Sequence, residues 1–225
     1  MTTFDLSKQS VRDLNQALHD LSEASDSFEV REPRGAHALA CGIKSKVRVE
    51  IHGHAGYYCA GMHQFGDVVI HGNVGTGVAE NMMSGSVRVK GNASQSAGAT
   101  AHGGLLVIEG DASARCGISL KGADIVVGGS VGHMSAFMAQ SGRLVVCGDS
   151  GDALGDSIYE ARIYVRGKVA SLGADCIEKE MRPEHLEELG SLLKQAGFDF
   201  APAEFRRYGS ARKLYTFHVD HASSY

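Results

Sequence analysis

Five places in the 225-residue chain carry residue types that do chemistry. Gly128-Gly129-Ser130-Val131-Gly132 spells GxSxG, the spacing that sets a serine nucleophile on a sharp turn between a strand and a helix. Gly72-Asn73-Val74-Gly75-Thr76-Gly77 has the glycine density of a loop that lets backbone approach a phosphate. His52, His54 and His71 offer imidazoles for zinc, which usually takes three or four ligands. Asp149, Asp152, Asp156 and Glu160 crowd carboxylates of the kind calcium uses, although the spacing is not that of an EF-hand loop. Phe198, Phe200, Phe205, Tyr208, Tyr215, Phe217 and Tyr225 place seven of the 15 aromatic residues in the last 28 positions. They interleave with Arg206-Arg207 and Arg212-Lys213, a mixture enriched at interface cores.

The elements that position these residues come from a repeat. Glycine recurs at Gly53, Gly72, Gly91, Gly110, Gly129, Gly148 and Gly167, a constant spacing of 19. Four residues before each stand Val49, Val68, Val87, Leu106, Ile125, Leu144 and Ile163; two before stand Ile51, Ile70, Val89, Ile108, Val127, Val146 and Val165. The residue between them varies (Glu50, Val69, Arg88, Val107, Val126, Val145, Tyr164). This alternation marks a short strand with one buried face. Seven residues after each glycine only small side chains occur: Ala60, Ala79, Gly98, Gly117, Ala136, Gly155 and Ala174, as where a chain turns tightly inward. The residue directly after the glycine is mostly polar (His54, Asn73, Asn92, Asp111, Ser130, Asp149, Lys168), which suggests a corner tolerant of positive φ.

A fixed period without helical spacing predicts an all-β solenoid, a parallel β-helix of about seven 19-residue coils with the aliphatic columns as internal ladders. Crossovers between parallel strands favour a right-handed coil. The organisation expected is an N-terminal helix and capping segment at 1–46, the β-helix at 47–180, and a C-terminal helix with an aromatic and basic tail at 181–225. Ser10 reads as the N-cap of a helix with Val11, Leu14, Leu18 and Leu21 on one face. Pro183 opens a second helix with the stripe Leu186, Leu189, Leu192 and Leu193, closed by Gly197. Short helical caps are expected at both ends, because open coil ends expose unpaired strand edges.

The repeat absorbs most of the chemistry. Ser130 falls in the polar corner column, and no helix follows it; the glycines from Gly72 to Gly77 lead into another coil. His71 stands beside His52, but Lys90 and Glu109 come next in that column, so a solvated surface ladder is expected rather than a metal site. The expectation is therefore of no catalytic, cofactor-binding or metal-binding residue in this chain. The tail is the exception, with Phe205, Arg206, Arg207, Tyr208, Arg212, Lys213 and Tyr215 as partner contacts, unless it folds back along its own β-helix.

Composition narrows the class. With 29 glycines, 3 prolines and 43 % hydrophobic residues the chain is neither disordered nor collagen-like. A net charge of −4 argues against nucleic-acid binding. Five cysteines, with 17 or more residues between neighbours, fit reduced thiols; with no readable leader and no apolar run of membrane length, a cytoplasmic protein is expected.

The coils, and most closely the stretch Arg115-Cys116-Gly117-Ile118 through Gly132-His133-Met134 to Phe137-Met138 and Gly142, resemble the GXGXG β-helix domain that ends the glutamate synthase large subunit. With Gly53-His54-Ala55-Gly56-Tyr57-Tyr58, Ala79-Glu80-Asn81-Met82-Met83-Ser84-Gly85, Ser171-Leu172-Gly173-Ala174-Asp175 and the segment from Arg207 to Tyr215, nearly the whole chain resembles the stand-alone GXGXG subunits of N-methylglutamate synthase. That enzyme is the methylamine–glutamate N-methyltransferase. The resemblance implies a non-catalytic subunit of a hetero-oligomer, bridging an amidotransferase-like subunit and an FMN- and iron–sulfur-bearing synthase-like subunit. It implies that the complex turns methylamine and L-glutamate into N-methyl-L-glutamate and ammonia. Similar coils in the C subunit of formylmethanofuran dehydrogenase, and a stand-alone carbohydrate-active β-helix, are the alternatives.

Overall fold

The computed structural model describes residues 1–21 and 27–212. Eleven strands form one sheet in the order β1-β2-β3-β4-β5-β6-β7-β8-β9-β11-β10. They are β1 (Thr2–Asp5), β2 (Ser27–Arg31), β3 (Arg48–His52), β4 (Asp67–Ile70), β5 (Ser86–Val89), β6 (Leu105–Ile108), β7 (Lys121–Val127), β8 (Ser141–Val146), β9 (Arg162–Val165), β10 (Cys176–Lys179) and β11 (Arg206–Ser210). From β1 to β9 every pairing is parallel, and β11 then runs antiparallel between β9 and β10.

The register from β3 to β9 is the repeat itself. Val49 pairs with Val68, Val87, Leu106, Ile125, Leu144 and Ile163 in turn; all seven are 0–1 % exposed. The solenoid also extends ahead of residue 47, since β2 sets Phe28 against Val49 and Val30 against Ile51, and β1 lies beside β2.

Each coil has one true strand. Opposite it, a ladder of single bridges joins Ala55, Val74, Ala93, Ala112, Val131, Ser150 and Val169. The turn beyond is built on alternating left-handed residues: Tyr58, Ala60 and Met62 in one coil, and Met134, Ala136 and Met138 in another, all with φ of 52–58°. The alternation flips successive peptide planes. Met134 and Met138 donate their N–H groups to Asp152 and Asp156 in the next coil, while Ala136 donates to Cys116 in the previous one. Such φ values cost a non-glycine residue ~1–2 kcal/mol each, a penalty offset by pairing backbone groups in both directions. From Ala60 to Gly155 the small column sits at the middle left-handed residue and points inward, whereas Ala174 in the last coil is exposed and the left-handed residue there is Asp175. A Cβ on Gly98 would lie 2.5 Å from Ile125 Cδ1, which accounts for the size limit there.

The first helix, α1 (Val11–His19), closes the N-terminal end. Ser10 caps it by accepting from the Asp13 N–H, and Leu14 and Leu18 are fully buried in the core that holds Phe4, Phe28, Leu39 and Ile43. The second, α2 (Pro183–Ala196), corrects the expectation of a helical cap at the far end. It lies along the outside of the sheet, where Leu189, Leu192, Leu193 and Ala196 cover Leu105, Val107, Val126, Val145, Cys147 and Tyr164. The stripe needed an apolar surface to cover, and the outward residues of β6–β9 are that surface. Polar pins hold the helix: Tyr164 Oη donates to Glu188 at 2.9 Å, Arg162 pairs with the same carboxylate, and Arg88 donates to the Ala196 carbonyl at 2.9 Å. The far end is instead sealed by β11, with Tyr208 buried in the internal core.

Candidate functional site

The residues after the repeat glycines form a side-chain ladder up the outside of the coil. Asn73 Oδ1 accepts the Asn92 N–H at 2.8 Å, Asn92 Oδ1 the Asp111 N–H at 2.8 Å, and Asp111 Oδ1 the Ser130 N–H at 2.7 Å. Ser130 Oγ then accepts from Asp149 N–H at 2.9 Å, and Asp149 Oδ1 from Lys168 N–H at 2.7 Å. His54 begins the ladder, its Nδ1 accepting from Asn73 N–H. These residues are short acceptors because each reaches one backbone N–H in the next coil, not because their own φ is positive; the sequence reading had the column right and its cause wrong. Ser130 is thus one rung among equals.

The glycines after Asn73 make room for aromatic rings. A Cβ on Gly75 would lie 2.7 Å from the Tyr57 ring, and one on Gly77, at φ +75°, 2.7 Å from the Tyr58 ring. The acidic run is dispersed among separate tasks. Asp149 serves the ladder, Asp152 accepts from Ser171 Oγ at 3.0 Å, and Asp156 accepts from Ser157 Oγ at 2.7 Å. Cys41, Cys59, Cys116, Cys147 and Cys176 are free thiols. Burial raises all five above the ordinary thiol value, Cys116 to about 12 and Cys176 to about 11, so none is poised as a nucleophile.

In the tail, Phe205 and Tyr208 are buried at 4 % and 2 % exposure, committed to the chain's own packing. Arg206 reaches Gly167 O at 3.3 Å, Arg207 donates to Glu180 O at 3.0 Å, and Arg212 pairs with Asp175. Arg206 and Arg212 remain exposed. Lys213 and Tyr215 lie outside the described residues.

The larger uncovered feature is on the first coils, and the sequence reading missed it. Tyr57, Tyr58, Met62 and Phe65 on one coil, with Met83 on the next, are 46–57 % exposed around the left-handed turn and the bend after it. Tyr57 is braced by His37, the rings stacked at 4.5 Å, and its N–H donates to His37 Nδ1. Phe65 lines an open cleft of about 580 Å³ with Lys46, Arg48 and Asp67. The column signal is partial: Tyr58 and Met62 stand where the next two coils put Gly77, Ser96, Asn81 and Thr100, but a later coil again puts Met134 and Met138 there. Large apolar groups at solvated corners, braced from behind, are what a protein-binding surface looks like. On the same coils His52 and His71 stack at 4.7 Å with an interplanar angle of 4°. Hydrogen bonding from His71, then from Arg48, holds the Glu50 carboxyl below its ordinary value despite partial burial.

Fold and surface define a class: a single-sheet β-solenoid with α2 packed against its later strands and, among the described residues, its densest group of exposed apolar side chains on the first coils. No family model matches the chain. It is 60 % identical over 228 residues, spanning all of both chains, to Protein GlxC of Rhizobium meliloti (strain 1021). The chain belongs to the GlxC family. No helix among the described residues is long and apolar enough to cross a membrane.

Proposed function

We propose that this protein is the non-catalytic structural subunit of a glutamate synthase-like complex, namely N-methylglutamate synthase, and holds an amidotransferase-like subunit against an FMN- and iron–sulfur-bearing synthase-like subunit. The observation that carries this reading is the exposed band Tyr57, Tyr58, Met62, Phe65 and Met83 on an otherwise rigid coil stack. Aromatic and methionine side chains are the common anchors of protein interfaces. A solenoid whose coils are joined by hydrogen bonds on every side keeps its attached partners at a fixed separation. In this reading the conversion of methylamine and L-glutamate to N-methyl-L-glutamate and ammonia takes place on the partners, with flavin and cluster chemistry supplied there.

The test is reconstitution with the two partner subunits, followed by size-exclusion chromatography and an assay for N-methylglutamate. The complete mixture is expected to turn over and the chain alone to be silent. Tyr58→Asp combined with Met62→Asp is expected to weaken assembly by about tenfold or more while leaving the melting temperature of the isolated chain in place. Turnover by the isolated chain, or assembly indifferent to the double replacement, overturns the proposal.

A further inference from the structure

We propose that Glu50, His52 and His71 form a binding site for a divalent transition metal, with zinc as the ion that suits the donor set. One carboxylate oxygen and two imidazole nitrogens, one from each residue, lie within 4.8 Å of one another. Parallel register brings them together. His52 ends β3, and His71 follows β4 directly beside it, so the rings stack at 4.7 Å. Both rings turn Nε2 toward the neighbouring row of carboxylates: His71 Nε2 stands 2.5 Å from Glu50 Oε2, and His52 Nε2 stands 3.4 Å from Glu29 Oε1. The two nitrogens therefore face the same side of the sheet's outer surface.

On that side Glu29 and Glu50 are register partners on adjacent strands. Like charges directly opposite one another repel, and a bound cation relieves that repulsion. The arginines leave one oxygen available. Arg31 takes both oxygens of Glu29, whereas Arg48 takes Glu50 only through Oε1, fixing the carboxylate with Oε2 turned toward the imidazoles. This is how an outer partner orients a metal ligand. Glu50 is held, with its side chain 19 % exposed, while His52 and His71 at 43 % and 38 % stay accessible to an ion from solvent. Two nitrogens and one oxygen with a position open to water form a set that zinc accepts. Copper(II) and nickel(II) would compete for it. Following the column alone, from His52 to His71, Lys90 and Glu109, yields no third ligand; the diagonal to Glu50 supplies it.

The experiment uses the untagged, chelator-treated full chain titrated with zinc chloride alone in a calorimeter, with cobalt(II) titrated in parallel by visible absorption. A single saturable zinc site is expected, together with cobalt bands of an inner-sphere complex. His52→Ala and His71→Ala are each expected to weaken zinc by more than about tenfold and to remove the cobalt bands. His102→Ala, an exposed histidine on another coil, is expected to bind as the wild type does. His71→Gln preserves a polar side chain of similar reach, and thermal melts report whether each variant is folded. Absence of saturable zinc uptake by the wild type, or uptake unchanged in the folded His52 and His71 variants, overturns the proposal.

Discussion

The outward column of the sheet reads Glu50, Val69 and Arg88 over the early coils, and Val107, Val126, Val145 and Tyr164 over the later ones. The inner ladders are the same throughout, aliphatic and buried from Val49 to Ile163. One backbone therefore serves two purposes. Over the later coils the outer column is apolar, and α2 covers it to make a second core with Val126, Val145 and Tyr164 fully buried. Over the early coils it carries Glu50 and Arg88, the latter reaching the end of α2 through the Ala196 carbonyl, and the neighbouring turn exposes tyrosines and methionines. Stability is invested in the inner ladders, which both halves share. The outer column is thus free to specify intramolecular cover in one half and external contact in the other.

The sharpest way to break this contrast is to place the same charge in both halves of the outer column. Val126→Asp buries a carboxylate under α2 with no cation designed for it, and a loss of about 3–5 kcal/mol in urea unfolding is expected. Val69→Asp, at the equivalent register position in the uncovered half, should stay within about 0.5 kcal/mol. Equal losses would show that the outer column of the early coils is also part of a core.

Next in size is the shared interior. Ala136 is 1 % exposed with φ of 57°, so Ala136→Leu should overpack the coil and cost roughly 1–3 kcal/mol by the same measurement. A neutral result would mean that the small column has room the packing does not show.

The smallest effect sharpens a difference between coils within the core. In the inner column of His63, Met82, Ala101, Leu120, Ala139 and Ile158, only the first is polar. His63 is fully buried; Nε2 lies 3.0 Å from Gly66 O, and Nδ1 has no partner among the described residues. Burial holds its pKa below the ordinary histidine value, with the Gly66 carbonyl and Asp67 opposing the shift. The unfolded chain then takes up a proton near pH ~6.5 that the folded chain resists. This contribution is complete above that pH and is lost as the pH falls below it. Melting temperatures between pH 7.5 and 5 should fall less steeply for His63→Leu than for the wild type. Parallel slopes would remove His63 as a source of acid sensitivity.

The strands from β3 to β9 are legible in the sequence, because a parallel solenoid prints its register as a sequence period; β1, β2, β10 and β11 lie outside that pattern and are not. The pairings from Val49 to Ile163 follow from the spacing of 19, apart from a register shift that sets Lys121 opposite Ser141. The place of α2 was not read. Its leucine stripe announces an amphipathic helix but not its partner, and the partner was written 30 or more residues earlier in the change from Arg88 to Val107, Val126 and Val145. The polar ladder was located correctly but assigned to turn geometry, since a composition column does not distinguish tolerance of positive φ from an acceptor aimed at the next coil. Glu50 stayed apart from the histidines for a related reason: columns reveal neighbours along a ladder, and its contact with His71 is diagonal. The exposed band is hard to read from columns, because methionine recurs at Met134 and Met138 where Tyr58 and Met62 stand.

The ladder from His54 to Lys168 has a consequence for how such a chain can change length over time. Each rung ties residue n to residue n + 19 through one short side chain. Adding a single residue between two rungs would shift the acceptors off their N–H groups and turn the aliphatic columns to the wrong face. Insertions between rungs are therefore disfavoured, and a single-residue shortening falls just beyond the last rung, where Leu154 bridges Leu172 instead of the residue 19 positions on. From His54 to Lys168 the molecule is a ruler graduated in single coils.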